Sequence, residues 1–231
     1  VPTVTNLLNS ALSATPQPMV GKPLYGIYTY AWAGLSPDTG NPRGYLDGEP
    51  SEDYLAISRA ATLQNLHYHG SARPTSFGAL RNDFSYRGFN LSLNISYRLG
   101  YYYKRRSIDY FTLLRGEIGH GDYDRRWKQP GDENFTQVPS QPATADTRRN
   151  SFYANSAVLV ERGDHIRLND VRFSYTFSKD KQPWLPFQSA QLYTYANNLG
   201  IIWKASEDQL DPDFQNARPL RSMAFGVLLD F

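Results

Sequence analysis

The sequence of 231 residues contains no cysteine, and this absence excludes two kinds of structure. Without thiols, the chain has neither a disulfide framework nor a thiolate metal site. No apolar run approaches the roughly 20 residues that a membrane-spanning helix requires. The opening residues VPTVTNLLNS also lack the basic and apolar regions of a signal peptide, so we expect a mature fragment or the tail of a longer chain.

An excess of charge of either sign is missing too, because 24 basic residues face 22 acidic ones. Nucleic-acid-binding proteins usually carry a basic face or stripe, so this balance argues against nucleic acid as a partner. Aromatic residues are abundant instead, with 17 tyrosines and 12 phenylalanines, although the mean hydropathy of −0.56 is polar. Many tyrosines without long apolar runs predict an all-β protein and are also typical of a membrane β-barrel.

Alternation of apolar and polar residues predicts six strands, of which FNLSLNISYRL (Phe89–Leu99) is the clearest. Its odd positions are apolar throughout. Its even positions are polar, and we expect them to face a water-filled lumen: Asn90, Ser92, Asn94, Ser96 and Arg98. The other predicted strands are Pro23–Gly34, Phe77–Tyr86, Asp164–Phe177, Ser189–Gly200 and Ser222–Phe231.

The connections between these strands are of two lengths. Arg87-Gly88 predicts a tight hairpin in which glycine supplies a positive φ, and Ser178–Phe187 predicts a second short turn. The remaining connections are long, and the longest is Tyr101–Gly163. Short turns at one end and long extracellular loops at the other are typical of outer-membrane barrels.

The length of the clearest strand fits a membrane. Eleven extended residues span roughly 36 Å, and a tilt of about 40° reduces this to roughly 27 Å, close to the apolar band of such a barrel. We therefore expect Tyr101–Tyr103 to form part of an aromatic girdle. Lys104–Arg106 would then lie where the phosphates of lipid and lipopolysaccharide begin.

The final strand ends on an aromatic residue, and its apolar positions alternate: Phe225, Val227, Leu229 and Phe231. We interpret these residues as a C-terminal barrel-assembly signal with Phe231 at the periplasmic rim. Six strands are too few to enclose a lumen, since roughly eight are the minimum. The rest of the barrel must come from the same protein or from another chain.

Several polar groups are candidates for chemical sites, but none of them predicts catalysis, a cofactor or a metal. His67 and His69 would share one face of a strand, but two ligands are too few for a zinc site. Asp208, Asp211 and Asp213 do not have the spacing of a calcium loop. Asp132-Glu133 is a pair of sequence neighbours that rarely face one another across a sugar, as glycosidase carboxylates must.

The longest loop contains Arg125, Arg126 and Trp127, a combination found in interface hot spots and in cation–π contacts. We expect this group to contact a partner protein or the substrate. The alternative, equally supported by sequence, is a loop that folds back and packs its own tryptophan.

Taken in order, several segments resemble the C-terminal part of a SusC/RagA-type TonB-dependent outer-membrane transporter of Bacteroidetes. They are YAWAGLSPDTGNPRGYLDG, GSARPTSFGALRNDFSYRGFNLSLNISYRLGYYYKR, RRWKQPGDENFTQVP, GDHIRLNDVRFSYTF, LYTYANNLGIIWK, DPDF and AFGVLLDF. The resemblance implies that residues 1–231 are the C-terminal segment of a 22-stranded, plugged, multi-pass barrel in the outer membrane. It also implies a SusD-like surface lipoprotein as lid, TonB acting through the plug, and oligosaccharides or peptides as cargo. The plug, the TonB box and most strands of that family are not in this chain.

Two rival functions stay open at this point. The first is a soluble all-β carbohydrate-binding module with aromatic platforms. The second is a stand-alone barrel enzyme of the outer membrane, such as a lipase or protease, for which His165 is the nearby candidate.

Overall fold

The computed structural model describes Leu12 and residues 21–117, 119–214 and 218–231. Its strands pair antiparallel, which confirms the predicted all-β class. No helix in this part of the chain is long and apolar enough to cross a membrane. The described residues form two compact units: unit 1 holds those up to Arg73 together with Tyr102–Glu161, and unit 2 holds Pro74–Tyr101 and Arg162–Phe231.

The helices and strands are short in unit 1 and long in unit 2. In chain order the strands are β1 (Gly26–Thr29), β2 (Gly44–Leu46), β3 (Glu49–Ser51), β4 (His67–Ser71), β5 (Ser76–Tyr86), β6 (Phe89–Leu99), β7 (Tyr102–Lys104), β8 (Val160–Arg162), β9 (His165–Ser178), β10 (Ser189–Lys204) and β11 (Ser222–Asp230). The α-helices are α1 (Tyr54–Ala60), α2 (Tyr110–Leu114) and α3 (Thr147–Ala154), and 3-10 helices lie at Gly121–Arg125, Asp132–Asn134 and Ala157–Leu159.

Unit 2 is built on one five-stranded antiparallel sheet in the order β11-β10-β9-β6-β5. Five of the six predicted strands are therefore confirmed and lie side by side. The predicted hairpin between β5 and β6 is also confirmed. Both of its turn residues have positive φ, 49° at Arg87 and 95° at Gly88. Two-residue turns with positive φ at both positions are favoured in hairpins because their twist matches that of the flanking strands.

The register of this sheet places apolar side chains from all five strands on one face. One row across the sheet pairs residues that are apolar except for a single threonine: Phe84, Leu91, Phe173, Thr194 and Phe225. Residues directly opposite each other in a ladder point to the same face. The alternation in each strand is therefore in phase with that of its neighbours.

The prediction for the first segment is wrong. Only Gly26–Thr29 of Pro23–Gly34 forms a strand, β1, and it is buried throughout and pairs with β4 in a separate two-stranded sheet of unit 1. Its aromatic residues pack inside unit 1, where Tyr28 contacts Tyr68 with ring centroids 5.0 Å apart. Alternation by itself does not distinguish a short buried strand from a long membrane-facing one.

The longest predicted loop is largely a folded part of unit 1. It contributes all five buried residues of one apolar cluster: Ile108, Tyr110, Val138, Tyr153 and Leu159. An aspartate caps the first turn of each α-helix: Asp53 for α1, Asp109 for α2 and Asp146 for α3. These side chains accept hydrogen bonds from backbone N–H groups that have no partner within the helix, which stabilises short helices.

The predicted aromatic girdle is also wrong for two of its three tyrosines. Tyr101 and Tyr103 are each only 6% exposed, whereas a girdle residue must reach the lipid interface. Lys104 has a partner within unit 1, because its Nζ donates a hydrogen bond of 2.9 Å to Asn155. Arg105 donates to Asp122 at 2.7 Å. The placement of Lys104–Arg106 at the lipid phosphates stays a prediction.

Candidate functional site

The apolar face of the unit 2 sheet, called here the outer face, is the most unusual surface of this unit. Many of its large apolar side chains are exposed: Leu80, Phe84, Tyr86, Phe89, Tyr97, Phe173, Leu192, Met223, Phe225, Val227 and Leu229. The two apolar clusters of buried residues in the described part of the chain both lie in unit 1. A soluble sandwich would cover such a face with a second layer.

Aromatic rings crowd the hairpin end of the outer face. Phe89 contacts Tyr175 with ring centroids 4.4 Å apart, and Tyr175 contacts Phe177 at 4.7 Å. At the other end of the face, the register brings Tyr97, Ile166 and Trp203 into one row. About eight residues separate the two bands along β6, roughly 26 Å of strand and about 20 Å of height at a 40° tilt. Aromatic bands at this separation are typical of a membrane-facing sheet.

The opposite face of the sheet, called here the inner face, is polar. It carries all five residues predicted to face a lumen, because Asn90, Ser92, Asn94, Ser96 and Arg98 alternate with the apolar residues of β6. Asn94 donates a hydrogen bond of 2.8 Å to Asp170, and Ser96 donates one of 3.2 Å to Asn169. Their exposure to a lumen stays a prediction.

Packing on the inner face includes one tight contact between neighbouring strands. Gly226 of β11 lies directly opposite Tyr193 of β10. A Cβ atom added to Gly226 would overlap the phenol ring of Tyr193. The absence of a side chain at this position therefore lets the tyrosine lie across the neighbouring strand.

A cluster of charged side chains joins the ends of β6 and β9 to the chain near Asp211. Arg98 pairs with Asp213 at 2.7 Å, and Arg167 pairs with Asp211 at 2.6 Å. His165 Nε2 lies 3.2 Å from Asp213 and is almost fully buried. The sequence did not predict this cluster. Its available signal is two aspartates on either side of a proline, together with arginines at polar positions of two predicted strands.

This cluster contains residues of two sites named in the sequence analysis, the aspartates near Asp211 and the candidate catalytic His165. The carboxylates of Asp211 and Asp213 contact cationic side chains, while Asp208 accepts a hydrogen bond from the backbone of Leu210 at 2.9 Å. No group of three or more potential metal ligands occurs among the described residues. His165 lies within hydrogen-bonding distance of the Tyr101 hydroxyl, at 3.3 Å, and of the Gly163 carbonyl, at 2.8 Å, which gives it a structural role.

His67 and His69 do approach each other on β4, with ring centroids 4.4 Å apart. His69 Nε2 also lies 2.8 Å from the Thr29 hydroxyl. Burial, together with the nearby His67 and Lys104, lowers the pKa of His69 to about 4, so the ring is neutral at physiological pH. The pair is therefore held by contacts within unit 1.

Trp127 is buried inside unit 1 rather than presented at its surface. It is 8% exposed, its ring lies against Gly40, and its Nε1 donates a hydrogen bond of 3.2 Å to Glu133. Asp132 accepts hydrogen bonds from the backbone of Lys128 and Gln129. The acidic pair Asp132-Glu133 therefore stabilises the turn that packs this tryptophan.

The two arginines before Trp127 also have partners within unit 1. Arg125 pairs with Asp122, and Arg126 stacks on Tyr123 with the guanidinium carbon 3.9 Å from the ring centroid. Only Arg125 of the predicted group is strongly exposed. Phe135 lies ten residues after Arg125 and is 92% exposed. No periodic pattern in the sequence indicated this exposure.

Asp122 is the most buried carboxylate of this region. Burial favours its protonated form, but hydrogen bonds from Ser107 at 2.5 Å and Arg105 at 2.7 Å outweigh burial. The pKa of Asp122 is therefore below its ordinary value. Through these hydrogen bonds, Asp122 links the 3-10 helix Gly121–Arg125 to the chain near Arg105.

Comparison with known proteins adds evidence about the fold alone. No family model matches the chain, and no curated protein matches it. In structure it is similar to the RagAB peptide transporter, with a TM-score of 0.61 and 19% identity over 90% of this chain and 23% of that chain. It is also similar to the RagAB peptide importer in its open-open state, with a TM-score of 0.58 and 19% identity over 89% of this chain and 22% of that one. For the RagAB peptide importer in its closed-closed state, the TM-score is 0.57 and the identity is 19% over 89% of this chain and 23% of that chain. The chain thus spans less than a quarter of these structures.

Proposed function

We propose that this chain is the C-terminal segment of a TonB-dependent active transporter of the SusC/RagA type in the outer membrane. The observation that carries the proposal is the outer face of unit 2, where five adjacent strands present exposed apolar side chains in phase. Hydrocarbon-facing strands of a barrel require this arrangement, with polar residues on the opposite face. The transporter works by gated import and not by bond chemistry.

The edges of the sheet support a larger barrel. β5 and β11 are the outermost strands of the five-stranded sheet in the described part of the chain. A strand edge with unpaired backbone groups is not tolerated in lipid. Further strands of the same protein or of another chain therefore pair with β5 and β11 and close the barrel around a plug.

The cargo and the lid are inferred from the structural neighbours and from the sequence resemblance. The neighbours are peptide importers, which favours peptides over oligosaccharides as the imported nutrient. A SusD-like lipoprotein closes the barrel from outside, and TonB acts on the plug. Arg125, Arg126 and Trp127 were predicted to contact the lid or the cargo, and the exposed Arg125 and Phe135 now fit that role better than the buried Trp127.

Uptake measurements test the proposed function directly. The gene for the whole protein is deleted, and growth is measured with peptides or with oligosaccharides as the limiting nutrient. Loss of growth on one class, restored by the intact gene, is the expected result. Recovery of the protein in the soluble fraction, with normal growth on both nutrients, would contradict it.

The soluble carbohydrate-binding alternative is separated from the membrane proposal by thiol labelling, because the chain has no cysteine of its own. Val227→Cys and Leu228→Cys are neighbours of similar exposure on opposite faces. In intact membranes, a water-soluble maleimide should label position 228 but not position 227, because a thiol that faces hydrocarbon stays protonated and unreactive. Position 227 should be labelled only after unfolding. Equal labelling of both positions by the water-soluble reagent is the result that a soluble module predicts.

The lid contact is tested with Phe135→Ser, which removes an almost fully exposed ring without disturbing the packing of unit 1. The matched control is Phe77→Ser, which also replaces a strongly exposed phenylalanine, but in unit 2. We expect the first variant to weaken co-purification of the lipoprotein and the control to leave it unchanged. Unchanged co-purification of both variants would reject Phe135 as a lid contact while leaving the transport proposal intact.

A further inference from the structure

A cavity lies within unit 2 beside the end of β10 that extends past β11. The two strands pair only as far as Asn197, so later residues of β10 have β9 on one side and no strand on the other among the described residues. The cavity has a volume of about 400 Å³, within the range of small-molecule sites. Its walls come from β9, from β10 and from residues of the chain leading to β11.

The lining of this cavity is strongly cationic. Arg167, Lys204, Arg218 and Arg221 contribute to its walls, and Asp211 is the carboxylate among the lining residues, so the formal net charge is +3. Lys204 donates to the backbone carbonyl of Leu210 at 3.1 Å, and Arg218 donates to that of Gln209. Neither interaction neutralises a charge. Within the described residues, Asp211 pairs with Arg167 and not with the other three cations.

Arg167 differs from the other cations of the lining because carboxylates already hold it. It is about nine-tenths buried, one terminal nitrogen donates to Asp211 at 2.6 Å, and that nitrogen also lies 3.6 Å from Asp213. Lys204, Arg218 and Arg221 have no carboxylate partner in the part of the chain that the structure describes. An oxyanion in the cavity would supply an anionic partner.

We propose that this cavity binds a phosphate group. Guanidinium groups bind phosphate through paired N–H donors, and a net charge of +3 suits a doubly charged phosphate better than a single carboxylate. Ile202 is an exposed apolar residue of the cavity wall, so the phosphate can carry an apolar body. The source is therefore either free phosphate or a lipid headgroup. The inference stands on the cavity alone and does not require the transport proposal.

Calorimetric titration of the full-length protein in an uncharged detergent tests the site. The probes are inorganic phosphate, a short-chain phosphatidic acid and the diacylglycerol of the same chain length. Arg218→Gln and Arg221→Gln each remove one exposed cation, and we expect each to weaken phosphate binding roughly tenfold. Arg167 is left unchanged because its removal would leave the buried carboxylate of Asp211 without its cationic partner.

The matched control is Arg87→Gln, the same substitution in the hairpin at the opposite end of the sheet. Binding of both phosphate probes, weakened in the two cavity variants but not in the control, means that the phosphate group suffices. Binding of phosphatidic acid alone means that the phosphate must be carried by a lipid. Three results would overturn the proposal. In the first, neither inorganic phosphate nor phosphatidic acid binds. In the second, diacylglycerol binds as tightly as phosphatidic acid, and in the third, the control variant loses as much affinity as the cavity variants.

Discussion

Val227 and Leu228 allow a sharp test of which face of the sheet meets lipid. They are neighbours on β11 and are similarly exposed, 59% and 62% respectively. Val227 lies on the outer face opposite Leu192, and Leu228 lies on the inner face opposite Gln191. If unit 2 were in water on both sides, arginine at either position would have the same small effect. If the outer face meets hydrocarbon, only Val227→Arg is costly.

The position of Val227 along its strand sets the magnitude. It lies four residues before Phe231, the residue predicted to lie at the periplasmic rim. Four extended residues are about 13 Å, or about 10 Å of depth at a tilt of 40°, close to the middle of an apolar band about 25 Å tall. Arginine near the midplane costs about 2–4 kcal/mol, whereas a substitution facing water usually changes stability by less than about 0.5 kcal/mol.

Reversible unfolding by guanidinium chloride in lipid vesicles measures this difference in the full-length protein. We expect Val227→Arg to lower the free energy of unfolding by about 2–4 kcal/mol and Leu228→Arg to leave it nearly unchanged. Equal effects of the two substitutions would refute the assignment of the outer face to lipid. A larger loss for Leu228→Arg would mean that the two faces are reversed.

Three further predictions concern packing and pH. Gly226→Ala places a methyl group against the ring of Tyr193 and should cost about 1–3 kcal/mol in the same unfolding measurement, whereas in a Tyr193→Ala background it should cost less. Gly40→Ala should destabilise unit 1, because its φ is +66° and the new Cβ would overlap Trp127. Thermal unfolding followed by tryptophan fluorescence should show a lower midpoint, and Trp127→Phe should remove the part of the signal that comes from this site. The pKa of Asp122 is lowered by folding, so its contribution to stability is complete above the ordinary aspartate pKa of about 3.9 and is lost as the pH falls through the lower folded value. Asp122→Asn should therefore lower stability at neutral pH, by about 3–5 kcal/mol, and should flatten its decline in acid; an unchanged acid profile would contradict this.

Residues of β6 show why much of unit 2 could be predicted. Alternation from Phe89 to Leu99 depends only on the pleat of one strand, and Arg87-Gly88 carries its turn geometry locally. Both are short-range properties, so the strand, its two faces and its hairpin followed without knowledge of any partner. The same reasoning failed for Gly26–Thr29, because a short apolar strand has the same pattern whether its cover is lipid or protein.

The candidate sites were less predictable than the strands, because they depend on residues distant in sequence. Arg98 meets Asp213 across 115 positions, and no local pattern records such a pairing. The sequence supports an exposed Trp127 and a Trp127 packed by its own loop equally, and only the structure shows that the ring is buried against Gly40. Phe135 looked like any other loop residue, yet it is almost fully exposed.

Local sequence thus specifies which residues of each long strand are apolar and where the chain turns, because side-chain direction in an extended backbone repeats every two residues. Tertiary structure alone decides what each apolar side chain meets. The described residues of unit 1 bury many of their aromatics against one another, among them Tyr28, Tyr110 and Tyr153, while the five strands of unit 2 leave many of theirs exposed. The physical reason is that burial depends on contacts between distant segments, and these are settled only when the whole chain has packed.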